Sequence, residues 1–156
     1  AIRFFAFYLV QNNLDFNGIY NFEEQYDGMD NFLDLVMKFL NIQTNQKIEE
    51  YFDLYQTRLL SALKLFDISS TRPFSRTGSS SVNMNIFETW LLILSQFDTS
   101  IIEENEKLFL EVYGSILRSN DFIDNILYLR DQKDRIIWRL NFISSKIKEI
   151  NLKIGE

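Results

Sequence analysis

The chain has 156 residues, a formal net charge of −6 and 46% apolar residues, with 15 Phe, one Pro and five Gly. It contains neither Cys nor His, which removes disulfides, thiolate chemistry, Ser-His-Asp and Cys-His nucleophile systems, and His-ligated zinc. The acidic balance disfavours non-specific nucleic-acid binding by the chain as a whole, and no apolar run approaches the roughly 18 residues of a membrane span.

So few Gly and Pro residues predict long helices, and the apolar content suffices for one core. The opening AIRFFAFYLV is almost wholly apolar and predicts a helix from the first residues to about Gln11, with no cap before it. A natural protein seldom starts inside a buried element, so residue 1 reads as a cut in a longer chain. The stretch NNLDFNGIYNFEEQYDG follows as a loop, with Asn17-Gly18 and Asp27-Gly28 as turn signals. A second helix is predicted from about Met29 to Asn41, with Phe32, Leu33, Val36, Met37 and Leu40 on one face. A third spans about Asn45 to Phe66, where Ile48, Tyr51, Phe52, Tyr55, Leu59, Ala62, Leu63 and Phe66 follow the helical period.

Residues 67–82 form a loop carrying the only proline, Arg72, Arg76, Gly78 and a serine run. After it, NIFETWLLILSQF is apolar nearly all the way round, as suits a helix covered on every side. Asn83 or Asn85 caps it, and Asn85 with Glu88 fits a capping box. Further helices are predicted over about Thr99–Arg118, Asn120–Leu127 and Asp131–Ile154. In the last, Ile136, Leu140, Ile143, Ile147, Ile150 and Ile154 step by four and three as a seam. The fold class is all-α: residues 1–156 make one compact bundle of about six or seven helices.

Charge is uneven. Residues 1–129 carry 9 basic and 18 acidic side chains, residues 130–153 carry 7 and 3, and Glu156 is acidic. Arg72 and Arg76 beside a Gly-Ser turn and a helix start could hold a phosphate; without a Gly-Lys-Ser/Thr step this is no Walker motif. The plainer reading is a surface loop whose arginines pair locally. Glu88, among Phe87, Trp90 and Leu91, is costly unless paired. As a general base or metal ligand it lacks a second acid, so a cap or buried ion pair is the better reading. On a helical wheel Arg135, Arg139, Lys146 and Lys153 share a stripe with Phe142 beside them. Like charges beside an aromatic suit phosphate or an acidic partner; pairing with acids on neighbouring helices is the alternative. Trp138 lies off seam and stripe, a second packing surface for a missing segment or another subunit. Phe4, Phe5, Phe7 and Tyr8 are spaced for core packing rather than for stacking on bases.

Several stretches together resemble the helical C-terminal half of the GmrSD-type family, the ParB-like nuclease/NTPase domain of modification-dependent restriction systems. RFFAFYL (3–9), the Asn17-Gly18 turn and MDNFLDLVMK (29–38) are similar to its opening helices, and RPFSR (72–76) to its aromatic-arginine turn. VNMNIFETW (82–90) resembles a helix start carried here by Val82, Asn83, Ile86, Phe87 and Glu88. NDFIDNI (120–126) and RLNFISSKIKEI (139–150) are similar to its closing helices, with Arg139 at the recurrent arginine. Ser81 stands where the family often has a basic residue, and the hallmark Asp-Gly-Gln-Gln-Arg segment of the ParB-like half is absent. The resemblance therefore implies a non-catalytic helical module of a cytoplasmic bacterial restriction or antiphage protein, itself without cofactor. Its partners would be an upstream catalytic α/β half, which would use NTP and a divalent metal, and DNA. Arg72, Arg76, Arg135, Arg139 and Lys146 would meet phosphate, and Asn83, Phe87, Glu88 and Trp90 would serve the scaffold. The alternative is a structural or partner-binding helical domain, which includes a homo-oligomer.

Overall fold

The computed structural model of the chain describes residues 1–12, 21–69, 82–127 and 131–155, with only the backbone at 67–69. Nine helices and no strand occur among these residues. They are α1 (Ile2–Gln11), α2 (Phe22–Gln25), α3 (Met29–Asn41), α4 (Asn45–Ser69), α5 (Met84–Leu94), α6 (Thr99–Glu104), α7 (Glu106–Arg118), α8 (Asn120–Leu127) and α9 (Lys133–Gly155). None is long and apolar enough to cross a membrane.

The architecture is an all-α bundle built around α5. Asn83 caps this helix: its side-chain oxygen accepts from the backbone N–H groups of Asn85 at 3.0 Å and Ile86 at 3.2 Å. The predicted Asn85–Glu88 capping box does not form, because Asn85 already lies inside the first turn and Glu88 turns to another helix. Every residue from Glu88 to Leu94 is buried, as the all-round apolar pattern requires. Leu91, Leu92, Ile93 and Leu94 each contribute about 1.5–3 kcal/mol by leaving water.

Helices α1, α4 and α9 pack directly on α5, and α7 reaches it through rings: Trp90 meets Tyr113 at 5.1 Å and Phe109 at 6.3 Å. Phe4, Phe5 and Phe7 of α1 are core residues. Phe5 packs edge-on against Phe52 of α4, and Phe7 meets Phe32 of α3. In α9, Ile136, Ile143 and Ile150 are buried, with Leu140, Ile147 and Ile154 half-buried beside them.

Three further details differ from the sequence reading. The stretch 99–118 is two helices, broken at Asn105 (φ −122°), whose side chain donates to the Ile101 carbonyl at 2.9 Å. The loop before α3 contains the short α2, whose Asn21 cap accepts from Glu23 N–H while Gln25 accepts from Asn21 N–H. Gly28, with φ 149°, then admits the chain to α3 in a backbone region that side chains disfavour. Finally, Met37 of α3 and Phe52 and Leu63 of α4 are exposed despite sharing the helical period with core residues. Their helices touch the core over a narrow arc, and residues at its edge leave the contact.

Candidate functional site: a charged cluster at the head of α1

The most concentrated polar chemistry among the described residues lies where α1 begins. Arg3, in the first turn of α1, sends Nε and Nη2 to the two oxygens of Glu88 on α5, the second bond at 3.1 Å. The same Nη2 reaches Asp131 Oδ1, just before α9, at 3.2 Å, and the guanidinium lies 5.6 Å from the Phe7 ring centre. Tyr26, following α2, donates its hydroxyl to the Asp131 backbone carbonyl at 2.6 Å. Arg139, in α9, donates to Asn125 Oδ1 of α8 at 3.5 Å, and the Asn125 amide donates to the Arg135 carbonyl at 3.2 Å. Five helices thus contribute to, or adjoin, one polar knot.

Its electrostatics follow from burial and proximity. Burial is the largest influence on Arg3 and would lower its pKa, but the hydrogen bond and charge of Glu88, then Asp131, outweigh it and hold Arg3 above its ordinary value. Burial pushes Arg139 down to about 10, with Glu88 pulling the other way and Arg3 adding to the depression. Burial, then the Asp131 charge, raises Tyr26.

Glu88 is only 4% exposed, and the cavity beside it, between Phe7, Glu88, Thr89, Leu92, Ile136 and Arg139, has a volume of about 10 Å³. That is room for about one water molecule at most. No group of three or more His, Cys, Asp or Glu side chains gathers as a metal-ligand set among the described residues. The arrangement ties α1 to α5 and to the start of α9.

The other residues singled out by sequence are dispersed. Arg72 and Arg76 lie outside the described residues. Arg139 is 5% exposed, which corrects the expectation of a solvent-facing basic stripe: the position sits about 60° from the isoleucine seam and turns inward because Asn125 and Glu88 offer polar company there. Arg135 is half-buried. Lys146 donates to Glu149 at 2.8 Å and lies 5.6 Å from the Phe142 ring centre, and Lys153 donates to the same Glu149 at 3.0 Å. The stripe is thus broken by one core arginine and one acid. Asn83 and Glu88 have the cap and ion-pair roles described, Trp90 is core, and Phe87 packs half-buried against it. Trp138 stacks on Phe142 at 5.1 Å, and Phe142 on the buried Phe122 at 5.3 Å, so its ring serves its own bundle.

Sequence reasoning missed Asn125, Asp131 and Arg58. Asn125 neighbours the buried Ile126 on the inward side of α8, a position where an amide signals a buried partner. Arg58 is buried on α4 and donates to Thr99 at the start of α6, at 2.8 Å. Burial lowers its pKa, partly offset by Asp98.

Compared with known proteins, the chain matches no family model, no curated protein and no solved structure.

Proposed function

We propose that this bundle is a non-catalytic helical module of a bacterial restriction or antiphage protein similar to the GmrSD-type NTP-dependent DNA endonucleases. It braces a catalytic α/β half and contacts DNA phosphate from its basic side. The family part of this reading rests on the sequence likeness alone. The observation that carries the non-catalytic part is the engagement of Glu88: both its oxygens accept from Arg3, and the pocket it lines among the described residues holds about one water. A general base needs to reach a substrate proton, and this carboxylate is committed to a cation. For phosphate, the reading relies on Arg72, Arg76, Arg135 and Lys146, with Arg139 withdrawn into the core.

The full chain, titrated against labelled duplex DNA at increasing salt, tests this. The proposal expects weak binding with a log–log salt slope of about −3 to −4, as for four phosphate contacts. The Arg72→Ala/Arg76→Ala/Arg135→Ala protein should lose most of that slope. Salt-independent or undetectable binding by both proteins overturns the DNA part. Hydrolysis of NTP or DNA by the chain, abolished in Glu88→Gln, overturns the non-catalytic part.

A second reading, a protein-binding helical domain, is favoured by the apolar side chains left on the outside of α4, namely Phe52, Leu60 and Leu63.

A further inference from the structure

The neighbours of the four helices around α5 fix their order. Helix α4 meets α7, and α7 meets α9. From α9 the circuit continues to α1, where Gln11 donates to Ser144 at 2.7 Å, and returns to α4 through the Phe5–Phe52 contact at 5.3 Å. Helices α4 and α9 therefore lie diagonally across the centre, and their outer faces look away from each other.

Those two faces differ in charge while both expose apolar side chains. On α4, Phe52, Gln56, Leu60 and Leu63 follow one another at helical spacing on the exposed side, and Leu60 is 67% exposed. Glu49 and Asp53 flank this strip without an ion-pair partner among the described residues, and the exposed Glu104 of the adjoining α6 extends the acidic field. Of the lysines on α4, Lys47 is tied to Glu50 at 2.9 Å and Lys64 to Glu103 at 2.9 Å. On α9, Asn141, Ser145, Lys148 and Leu152 share the outward face, and Leu152 is 71% exposed. The exposed Lys148 and Lys153 stand on this side of α9, and among the described residues Lys153 pairs with Glu149 at 3.0 Å.

We propose that copies of this chain associate head to tail, the acidic apolar strip of α4 on one copy receiving the basic, leucine-bearing end of α9 on the next. Burial of Leu60 and Leu152 supplies attraction, and opposite charge sets partner choice and register. Because the two surfaces differ and face opposite ways, the contact is heterologous and builds an open chain unless the rotation between copies closes it. Each face is about one helix wide, so the contact is small and the assembly reversible. This inference deepens the protein-binding reading of α4 and is independent of the DNA reading, since it uses different residues.

Sedimentation velocity of the full chain, over a wide concentration range at low and high salt, tests it. The proposal expects the mean sedimentation coefficient to rise with concentration at low salt and to fall to the monomer value at high salt. Glu49→Lys/Asp53→Lys and Lys148→Glu/Lys153→Glu, all at surface positions, should each be monomeric alone and associate when mixed in equal amounts. Leu60→Asp, with unchanged helical circular dichroism, should abolish association. A wild-type protein that stays monomeric throughout, a charge-reversed variant that still associates alone, or a mixture that stays monomeric would each overturn the proposal. Association of these same proteins leaves the salt slope of DNA binding to be judged separately.

Discussion

Arg3 and Glu88, 85 positions apart in sequence, meet as a two-pronged ion pair in which Nε and Nη2 of the guanidinium each donate to one carboxylate oxygen. Parallel N–H···O bonds of this kind fix orientation as well as distance. The pair resolves the conflict posed by a carboxylate in the most apolar helix of the chain. It also joins α1 to α5, and through Asp131 it reaches the start of α9. A pair of this sort need not exceed an apolar replacement in stability, but losing one member strands the other.

The cap on the central helix has a measurable share. Asn83→Ala leaves the N–H groups of Asn85 and Ile86 without their acceptor and should cost about 1 kcal/mol in urea unfolding, whereas Asn83→Asp should be close to neutral. Equal stability of Asn83→Ala and the parent would show that the helix start is held by packing alone.

Gly114 sits inside α7, where glycine costs about 0.5–1 kcal/mol relative to alanine. The nearest atoms a methyl group there would meet belong to the Arg118 guanidinium, with Nη1 at 3.0 Å, and that exposed side chain can swing away. Gly114→Ala should therefore raise the unfolding free energy by roughly 0.5 kcal/mol or slightly more. A loss of stability would mean that the bare surface of α7 is required by a neighbour.

The lysine–glutamate group at the end of α9 sets a small acid dependence. The hydrogen bond from Lys146 lowers the Glu149 pKa below its ordinary 4.5, against burial and with help from Lys153. A carboxylate with a depressed folded pKa stabilises above its unfolded value and loses that contribution as pH falls through the folded value. The group is about a third exposed, so screening limits it to about 0.5 kcal/mol. Glu149→Gln should lower stability slightly at pH 7, and the difference should shrink progressively as pH falls below 4.5. A difference that does not change with pH would place the effect in packing rather than charge.

Much of the scaffold was legible because helical period and capping are local. The bounds of α1, α3 and α8 follow from their apolar spacing, and the all-round apolar pattern of 85–97 identified the central helix. The break at Asn105 was not legible: the apolar spacing runs through it, and the side-chain bond to Ile101 that accompanies it leaves no periodic trace. The polar cluster was legible only in part. Glu88 announced its need for a cation, but nothing local named Arg3 as the donor. Arg139 lies at the boundary between core and surface on the wheel, and its inward turn depends on Asn125 from another helix. Phe52 and Leu63 share a period with core residues, and the placement of the helices packed on α4, chiefly α5, α6 and α7, decides how much of it is covered.

The central claim is that the buried charge of Glu88 joins helices by pairing with Arg3. A double-mutant cycle of Arg3→Met and Glu88→Leu, followed by urea unfolding, tests it most directly. Each single change should cost about 3 kcal/mol, and the double mutant should recover enough to leave a coupling of about 2 kcal/mol. Strictly additive losses, with no coupling between the two positions, would contradict the account.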